Sequence, residues 1–221
     1  MFTENGMSTV HNCDFMNNEK FIKAYNRGMQ AHGNDINAHW TVHIALWVAS
    51  ICKNLEGDFV ECGVDKGILS SSIMQYLDWN NLDKHFFLFD TFSGLDEEFL
   101  SETEKLINIK RNKYIECFET SKENFKEFDR VQLIKGSVPI SLTDAKIDKV
   151  CYLSIDMNCT IPEIAAAEYF WPKLVSGAMI LLDDYTYEGY EEQHYAFNKF
   201  ALKKNIEILS LPTGQGLYVK P

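Results

Sequence analysis

The 221-residue chain has few basic residues and no long hydrophobic run. Lysine and arginine number 21 against 32 aspartates and glutamates, which gives a formal charge of −11. Such a surface repels phosphate backbones and anionic lipid head groups, so we expect neither a nucleic-acid nor a membrane partner. No apolar run is long enough to span a bilayer, and the first residues lack the pattern of a signal peptide.

The chain also lacks any C-x-x-C pair among its six cysteines. Free cysteine behaves as a small buried hydrophobe, and four of the six lie in or beside apolar runs. This usage favours a reduced, cytoplasmic protein over a disulfide framework. The four are Cys52, Cys62, Cys151 and Cys159.

Apolar runs typical of buried strands alternate with helical stretches through most of the chain. Near-continuous apolar strands separated by helices predict an α/β fold, with a mostly parallel sheet covered on both faces. The predicted strands are 59–64, 85–90, 131–136, 150–156 and 178–184, followed by a closing hairpin of 206–211 and 216–220. The predicted helices include 67–77, 161–174 and 188–204.

Three segments lie outside this rhythm. Residues 1–18 are polar and we expect them to be loose, whereas 93–130 is charged, helical in pattern and reads as an insertion between the second and third strands. A helix is predicted over 37–54. Its expected buried face carries Trp40, Ile44, Trp47, Val48 and Ile51. We expect one domain, with an N-terminal helical extension (1–56) and a catalytic core (57–221).

The first predicted strand runs into an E-x-G-x-x-x-G row, from Glu61 through Gly63 to Gly67. Glycines here allow a tight turn and close approach of the backbone to a ligand, and the following helix presents free N–H groups. Asp65 stands where a dinucleotide fingerprint has its middle glycine. A loop with two acids suits a pyrophosphate badly and a ligand with a cationic amine and a sulfonium better. A plain strand-to-helix turn is the alternative.

Asp90 ends the second predicted strand, 23 residues after Gly67. An acid at that place commonly accepts the ribose hydroxyls of a nucleoside, although a helix cap or a surface acid is the alternative. The third strand ends in Gly136-Ser137, small residues that would let an adenine ring lie close to the backbone. Together these features indicate a nucleoside ligand without a phosphate bridge, such as S-adenosylmethionine.

Carboxylates end the fourth and fifth predicted strands, at Asp156 and at Asp183-Asp184. Three acids at the ends of adjacent parallel strands would repel one another and raise each other's pKa. A hard divalent cation with oxygen ligands resolves this repulsion and can also polarise a bound hydroxyl. The alternative is that Asp183 and Asp184 cap the next helix.

The order of these features resembles class I S-adenosylmethionine-dependent methyltransferases. More narrowly, GDFVECGV, FLFDTFSGL, VQLIKGS, LSID and AMILLDDY are similar to the macrocin O-methyltransferase (TylF-type) family, which methylates sugar hydroxyls in antibiotic biosynthesis. The similarity runs from about Leu55 to the C-terminus. It implies a three-layer αβα, Rossmann-like, doubly wound sheet of seven strands with a terminal antiparallel strand.

The resemblance also implies the residues of the site. Magnesium or another divalent cation would be held by Asp156, Asp183 and Asp184, with Asp156 as the shared ligand and catalytic base. The acceptor would be a hydroxylated small molecule, above all a sugar or a glycosylated natural product, and a homo-oligomer such as a dimer stays open. The expected cofactor contacts are Glu61, Gly63, Val64, Gly67, Asp90, Thr91, Gly136, Ser137 and Asp156.

The chain departs from the family after the fourth strand. Relatives often read D-G-D-L-Y there, whereas this chain has Met157, Asn158, Cys159 and Thr160 after Asp156. A metal-independent methyltransferase and a non-catalytic relative that binds the cofactor or its product are therefore kept as alternatives. Alternative bases are His39, His43 and His194. Candidate walls for the acceptor pocket are Trp40, Trp47, Tyr185, Tyr187 and Tyr190.

Overall fold

The computed structural model describes residues 1–111 and 114–221, without the side chains of 108–111. Its strands are β1 (Phe2–Glu4), β2 (Met7–Thr9), β3 (Asp58–Cys62), β4 (Phe86–Asp90), β5 (Val131–Lys135), β6 (Val150–Ile155), β7 (Leu174–Leu182), β8 (Leu209–Ser210) and β9 (Gly216–Val219). Its α-helices are α1 (Glu19–His32), α2 (His39–Cys52), α3 (Ile68–Leu77), α4 (Glu102–Arg111), α5 (Phe118–Phe125), α6 (Thr160–Phe170) and α7 (Glu191–Lys204).

A mostly parallel sheet of seven strands forms the centre of the protein. Its strand order is β5-β4-β3-β6-β7-β9-β8, in which β3 to β7 run parallel and β9 runs antiparallel to both of its neighbours. This confirms the predicted Rossmann-like, doubly wound α/β fold with a terminal antiparallel strand. The strand order reverses between β3 and β6, which is where such sheets bind ligands.

The two faces of the sheet bury separate cores because successive side chains of a strand point to opposite faces. Phe59 of β3 and Tyr152 of β6 pack in the core that includes residues of α1, α2 and α3. Val60 and Leu153, the next residues along, pack in the core that includes residues of α6 and α7. Strands buried on both faces explain why the sequence reads as continuous apolar runs.

The N-terminal segment is ordered, which corrects the expectation of a loose polar stretch. β1 and β2 form an antiparallel hairpin around a turn at Asn5-Gly6. Glu4 is only 7% exposed because its carboxylate accepts backbone N–H bonds from the start of α2. A short 3-10 helix (Asp14–Asn17) then leads into α1.

The buried face predicted for α2 is right at Val48, which is fully buried, and wrong at Trp47 and Ile51. Trp47 is 53% exposed and Ile51 is 45% exposed, whereas Val42, Ala45 and Ala49 are fully buried. α2 packs against α3 and β7, and short side chains let these elements approach closely. Trp47 and Ile51, two bulky residues of this largely apolar helix, therefore point away from the core.

Between β4 and β5 the chain forms α4 and α5, in the segment predicted as a helical insertion. The helix predicted over 161–174 is α6 followed by a 3-10 turn at Trp171–Lys173, and β7 already begins at Leu174. The six cysteines are free, as their sequence pattern predicts. No helix among the described residues is long and apolar enough to cross a membrane.

Candidate active site

A cavity of about 300 Å³ lies at the carboxyl ends of the parallel strands. Each strand from β3 to β7 contributes a side chain or a loop to its wall, so the sheet topology brings together residues that are far apart in sequence. The predicted site residues that line it are Glu61, Gly63, Val64, Asp90, Thr91, Gly136, Ser137, Asp156 and Asp183.

Two predicted site residues, Gly67 and Asp184, are not among the residues that line this cavity. Gly67 precedes α3 with a φ of 92°, and a Cβ there would overlap the ring of Phe125 of α5. Glycine is therefore needed at position 67 for the turn before α3 and for the close packing of α5. Asp184 is 8% exposed and follows Asp183, which does face the cavity.

Glu61 is a buried acid with an unsatisfied oxygen in the cavity wall. The residue is 3% exposed, and its Oε2 has no hydrogen-bond partner in the protein. Burial raises the pKa of Glu61 to about 8, and the nearby charges of Asp90 and Asp183 act in the same direction. A buried carboxyl oxygen without a partner is costly, and a cationic group on a ligand would satisfy Oε2 and favour the ionised form of Glu61.

The cavity as a whole is acidic. Among the described residues that line it there is one imidazole, His32, and neither lysine nor arginine. Carboxylates that share one cleft attract a cationic ligand, which fits a sulfonium and an ammonium on the same molecule. The carboxylates that line it are Glu61, Asp65, Asp90, Asp96, Asp156 and Asp183.

Asp90 joins the loop after β3 to the loop after β4. Its Oδ2 accepts the backbone N–H groups of Val64 at 2.6 Å and Asp65 at 2.8 Å, and its Oδ1 accepts that of Phe92 at 2.6 Å. The Thr91 hydroxyl also lies 3.4 Å from Oδ1, but it is closer to the carbonyl oxygen of Gly94, at 2.5 Å. A ligand hydroxyl can therefore take the place of this weak contact on Oδ1. The structure thus gives Asp90 a loop-organising role that the sequence pattern did not predict.

The wall after β5 is made of backbone and a small hydroxyl. A Cβ on Gly136 would lie 3.0 Å from the Cβ of Ser141, so there is little room for a side chain. The Ser137 hydroxyl donates to Oδ2 of Asp96 at 2.5 Å. Small residues at this wall leave space for a planar ring to lie close to the backbone.

Asp156 and Asp183 form the acidic end of the cavity. Burial raises the pKa of Asp156 well above its ordinary value, and the charges of Asp183 and Asp184 raise it further. Burial also raises the pKa of Asp183, whose Oδ1 accepts an N–H from Gln215 at 3.1 Å. Over residues 1–111 and 114–221, no three His, Cys, Asp or Glu side chains are grouped as they would be around a metal ion.

The comparison with known families decides the identity. The model of the macrocin O-methyltransferase (TylF) family matches residues 43–209, which is 167 of the 221 residues. The chain belongs to this family. It is an S-adenosylmethionine-dependent O-methyltransferase, as its motifs predict. No sequence among the curated proteins matches it.

Solved methyltransferases share the fold of this TylF-family chain. The O-methyltransferase NovP is 20% identical, with a TM-score of 0.72 over 84% of this chain and 81% of NovP. The calicheamicin methyltransferase CalS11 is 14% identical, with a TM-score of 0.63 over 99% of both chains. The methyltransferase PaMTH1 of Podospora anserina, solved with S-adenosylhomocysteine, is 14% identical, with a TM-score of 0.57 over 92% of this chain and 88% of PaMTH1.

Asn158 is a functional candidate of this methyltransferase that the sequence showed only as a departure from the family. Its Nδ2 donates to Oδ1 of Asp156 at 3.0 Å and to the hydroxyl of Tyr114 at 3.2 Å, and its Oδ1 accepts from the hydroxyl of Tyr190 at 2.6 Å. Its φ of 56° lies in the left-handed region that asparagine tolerates better than most residues. This turn folds the amide back onto Asp156.

The N-terminal helices contribute a wall that sequence reasoning did not identify. Ile36, Ala38, Thr41 and Val42 line the cavity together with His32 at the end of α1. Ile36, Ala38, Thr41 and Val42 are ordinary apolar or hydroxyl residues, and they match no sequence motif for a binding site. Only the packing of α1 and α2 on α3 brings them to the site.

The alternative bases and the aromatic walls proposed from sequence do not line the cavity. The ring nitrogen Nδ1 of His194 lies 2.8 Å from the carbonyl oxygen of Tyr185, and His39 and His43 pack against other rings of the N-terminal region. Tyr114, from the insertion, is the tyrosine that lines the cavity. The residues expected there and found elsewhere are His39, His43, His194, Trp40, Trp47, Tyr185, Tyr187 and Tyr190.

Proposed function

We propose that this TylF-family enzyme methylates a hydroxyl group of a small molecule, with a sugar or a glycosylated natural product as the acceptor. One observation carries this proposal: Asp156 and Asp183 line the same cavity as Glu61 and Asp90. Acids suited to bind and deprotonate a hydroxyl thus share one cavity with acids suited to a cationic nucleoside. A solved structure with this fold is described as a TDP-rhamnose 3'-O-methyltransferase, which supports a sugar acceptor.

The cofactor would lie across the ends of β3, β4 and β5. The free Oε2 of Glu61 suits its ammonium group, Oδ1 of Asp90 suits a ribose hydroxyl, and the backbone at Gly136 suits the adenine ring. Further contacts are proposed from Gly63, Val64, Thr91, Ser137 and Asp156, all of which line the cavity.

Methyl transfer needs alignment more than activation, because the sulfonium already activates the carbon. The acceptor oxygen attacks the methyl carbon, the carbon–sulfur bond breaks, and the electron pair stays on the sulfur of S-adenosylhomocysteine. Asp156 takes the proton of the acceptor hydroxyl as general base. Holding oxygen, carbon and sulfur in line supplies most of the rate.

We also propose that a divalent cation binds at the acidic end of the cavity. The donors at the acidic end are oxygens, and the pKa of Asp156 is raised by burial and by two neighbouring acids, which fits a site short of positive charge. Asp156, Asp183 and Asp184 would hold magnesium, which would lower the pKa of a bound hydroxyl.

A metal-independent form of the same reaction is the second candidate. It is favoured by the fact that no three potential ligands are clustered among the residues with described side chains. In that case the Asn158 amide and the Gln215 amide alone would orient Asp156 and Asp183.

Calorimetric titration with S-adenosylmethionine, with and without magnesium, tests both parts. We expect binding in both conditions, a heat of magnesium binding in wild type, and its loss in Asp183→Asn. No binding at millimolar cofactor would contradict the cofactor site. Magnesium affinity that is the same in wild type and Asp183→Asn, or turnover unchanged in EDTA, would contradict the metal site and leave the metal-independent form.

We further propose that residues 1–221 form a single domain. α1 and α2, from the N-terminal extension, share one core with β3 and α3 of the catalytic part. A core that crosses the boundary predicts that both parts unfold in one transition.

A further inference from the structure

The first turn of α2 depends on distant residues for its backbone hydrogen bonds. Its N-cap residue, Ala38, has no side-chain capping bond, although the first N–H groups of any helix lack partners within the helix. The N–H of Ala38 donates to the hydroxyl of Tyr25 at 3.2 Å. The next two N–H groups, of His39 and Trp40, donate to Glu4.

Glu4 is bound to α2 through both of its carboxylate oxygens. Oε2 accepts the N–H of His39 at 3.1 Å and lies 2.9 Å from Nδ1 of the same histidine, and Oε1 accepts the N–H of Trp40 at 2.6 Å. Bonds to an ionised acceptor are stronger than neutral ones, and a negative charge is favourable at a helix N-terminus. These contacts explain how an acid can be 93% buried at this point.

The hairpin that carries Glu4 has a second anchor on the opposite side. The side-chain oxygen of Asn5, in the turn, accepts the hydroxyl of Tyr187 at 2.9 Å. Tyr187 belongs to the loop after β7, four residues after Asp183. The hairpin therefore connects the start of α2 with a loop that leads out of the cavity.

The part of α2 that Glu4 holds is also a wall of the cavity. Ala38, Thr41 and Val42 line it, and they flank the two residues whose N–H groups Glu4 accepts. We propose that Glu4 is a positioning residue: it fixes the first turn of α2 against the cavity and so strengthens binding of the cofactor. This inference rests on the proposed function, in which the cavity holds S-adenosylmethionine or its product.

The test is titration of the full chain with S-adenosylhomocysteine, in wild type, Glu4→Ala and Glu4→Gln. We expect Glu4→Ala to bind about tenfold more weakly, which matches the loss of one good helix cap. Glu4→Gln should lose about two- to threefold, because its amide oxygen can still accept one N–H. Hydrogen exchange at the His39 and Trp40 amides should be faster in Glu4→Ala.

Asn18→Ala is the matched control, because Asn18 caps α1 by accepting the N–H groups of Lys20 and Phe21 and does not line the cavity. Asn18→Ala should lower the free energy of unfolding about as much as Glu4→Ala does, and it should leave the affinity for S-adenosylhomocysteine unchanged. Equal affinity in wild type and the Glu4 variants, with faster exchange at 39 and 40, would overturn this inference alone. No binding by wild type would overturn the proposed function as well. If Glu4→Ala does not fold, Glu4→Gln decides.

Discussion

The amide nitrogen Nδ2 of Asn158 lies 3.0 Å from Oδ1 of Asp156, two residues earlier in the chain. The same amide accepts the Tyr190 hydroxyl through Oδ1, at 2.6 Å. Because Nδ2 of Asn158 occupies Oδ1 of Asp156, the proposed acceptor hydroxyl would bind at Oδ2 of Asp156. Asn158 thus orients the proposed base and links it to the loop before α7.

Replacing Asn158 should therefore affect methyl transfer more than cofactor binding. In Asn158→Ala we expect kcat to fall about tenfold or more, because the hydrogen bond that orients the carboxyl group of Asp156 is lost. Affinity for S-adenosylhomocysteine should change less than threefold by calorimetry. Asn12→Ala is a matched control, since Asn12 donates to Asp14 in the same two-residue spacing on an exposed surface. Wild-type kcat in Asn158→Ala would contradict the role.

Asp90→Asn should weaken both the fold and cofactor binding. The carboxylate accepts three backbone N–H groups, and an asparagine amide offers one oxygen and turns a donor toward the others. We expect a loss of about 1–3 kcal/mol in the free energy of unfolding and at least tenfold weaker binding of S-adenosylhomocysteine.

Asp58→Asn is the comparison for Asp90. Asp58 accepts the N–H of His85 at the opposite end of the sheet, at 2.8 Å. Asp58→Asn should lower the free energy of unfolding measured in urea and leave the affinity for S-adenosylhomocysteine unchanged. If both variants weaken binding equally, Asp90 has no special place at the site.

Gly63→Ala should be one of the most destabilising single substitutions. Gly63 has a φ of 91°, and a Cβ there would overlap the carbonyl oxygen of Asp156. Backbone strain and steric overlap together should lower the free energy of unfolding, measured in urea, by more than about 3 kcal/mol.

Gly33→Ala separates the two causes. Gly33 has a φ of 101° but nothing within 4 Å of a new Cβ, so it carries the backbone strain alone. A loss of about 1 kcal/mol is expected there. Equal losses at Gly33 and Gly63 would show that the contact with Asp156 is unimportant.

Glu163 should make the folded state less stable as the pH rises. Burial raises the pKa of Glu163 to about 8 from an ordinary value of 4.5. Between these values the folded protein holds a proton that the unfolded chain has released, so the free energy of unfolding falls with increasing pH. Glu163→Gln keeps an oxygen for the Met157 N–H and cannot ionise.

We expect Glu163→Gln to lose less stability than wild type between pH 5 and pH 8.5, by on the order of 3 kcal/mol. Thermal and urea unfolding of the ligand-free protein at the two pH values measure this difference. Glu168→Gln is a control, since Glu168 is bound by two lysines near the surface and its pKa is lowered. Parallel pH profiles for wild type and Glu163→Gln would contradict the prediction.

The sequence predicted the sheet and the acids at the strand ends of the cavity because both follow from local patterns. Buried strands read as apolar runs, and ligands of such sheets lie at strand ends, so Glu61, Asp90, Asp156 and Asp183 could be placed without knowing any contact. The parallel arrangement of β3 to β7 then places these strand ends at the same edge of the sheet.

The missed features depend on contacts between distant residues or on side-chain size. Glu4 meets α2 across 35 residues, and no periodicity in residues 1–18 indicates a partner. Trp47 and Ile51 were wrongly placed on the buried face of α2 because apolar residues lie on several sides of this helix, and close packing buries Ala45 and Ala49 instead. Tyr114 and Asn158 meet only because the insertion folds over the end of β6.

The position of β9 affects when the cavity wall can form during synthesis of the chain. β9 inserts between β7 and β8, and Gln215, just before it, donates to Asp183 in the cavity wall. On the ribosome, every other described strand of the sheet is made before these residues emerge. The contact that aligns the acidic end of the cavity can therefore form only after the other described strands of the sheet have been synthesised.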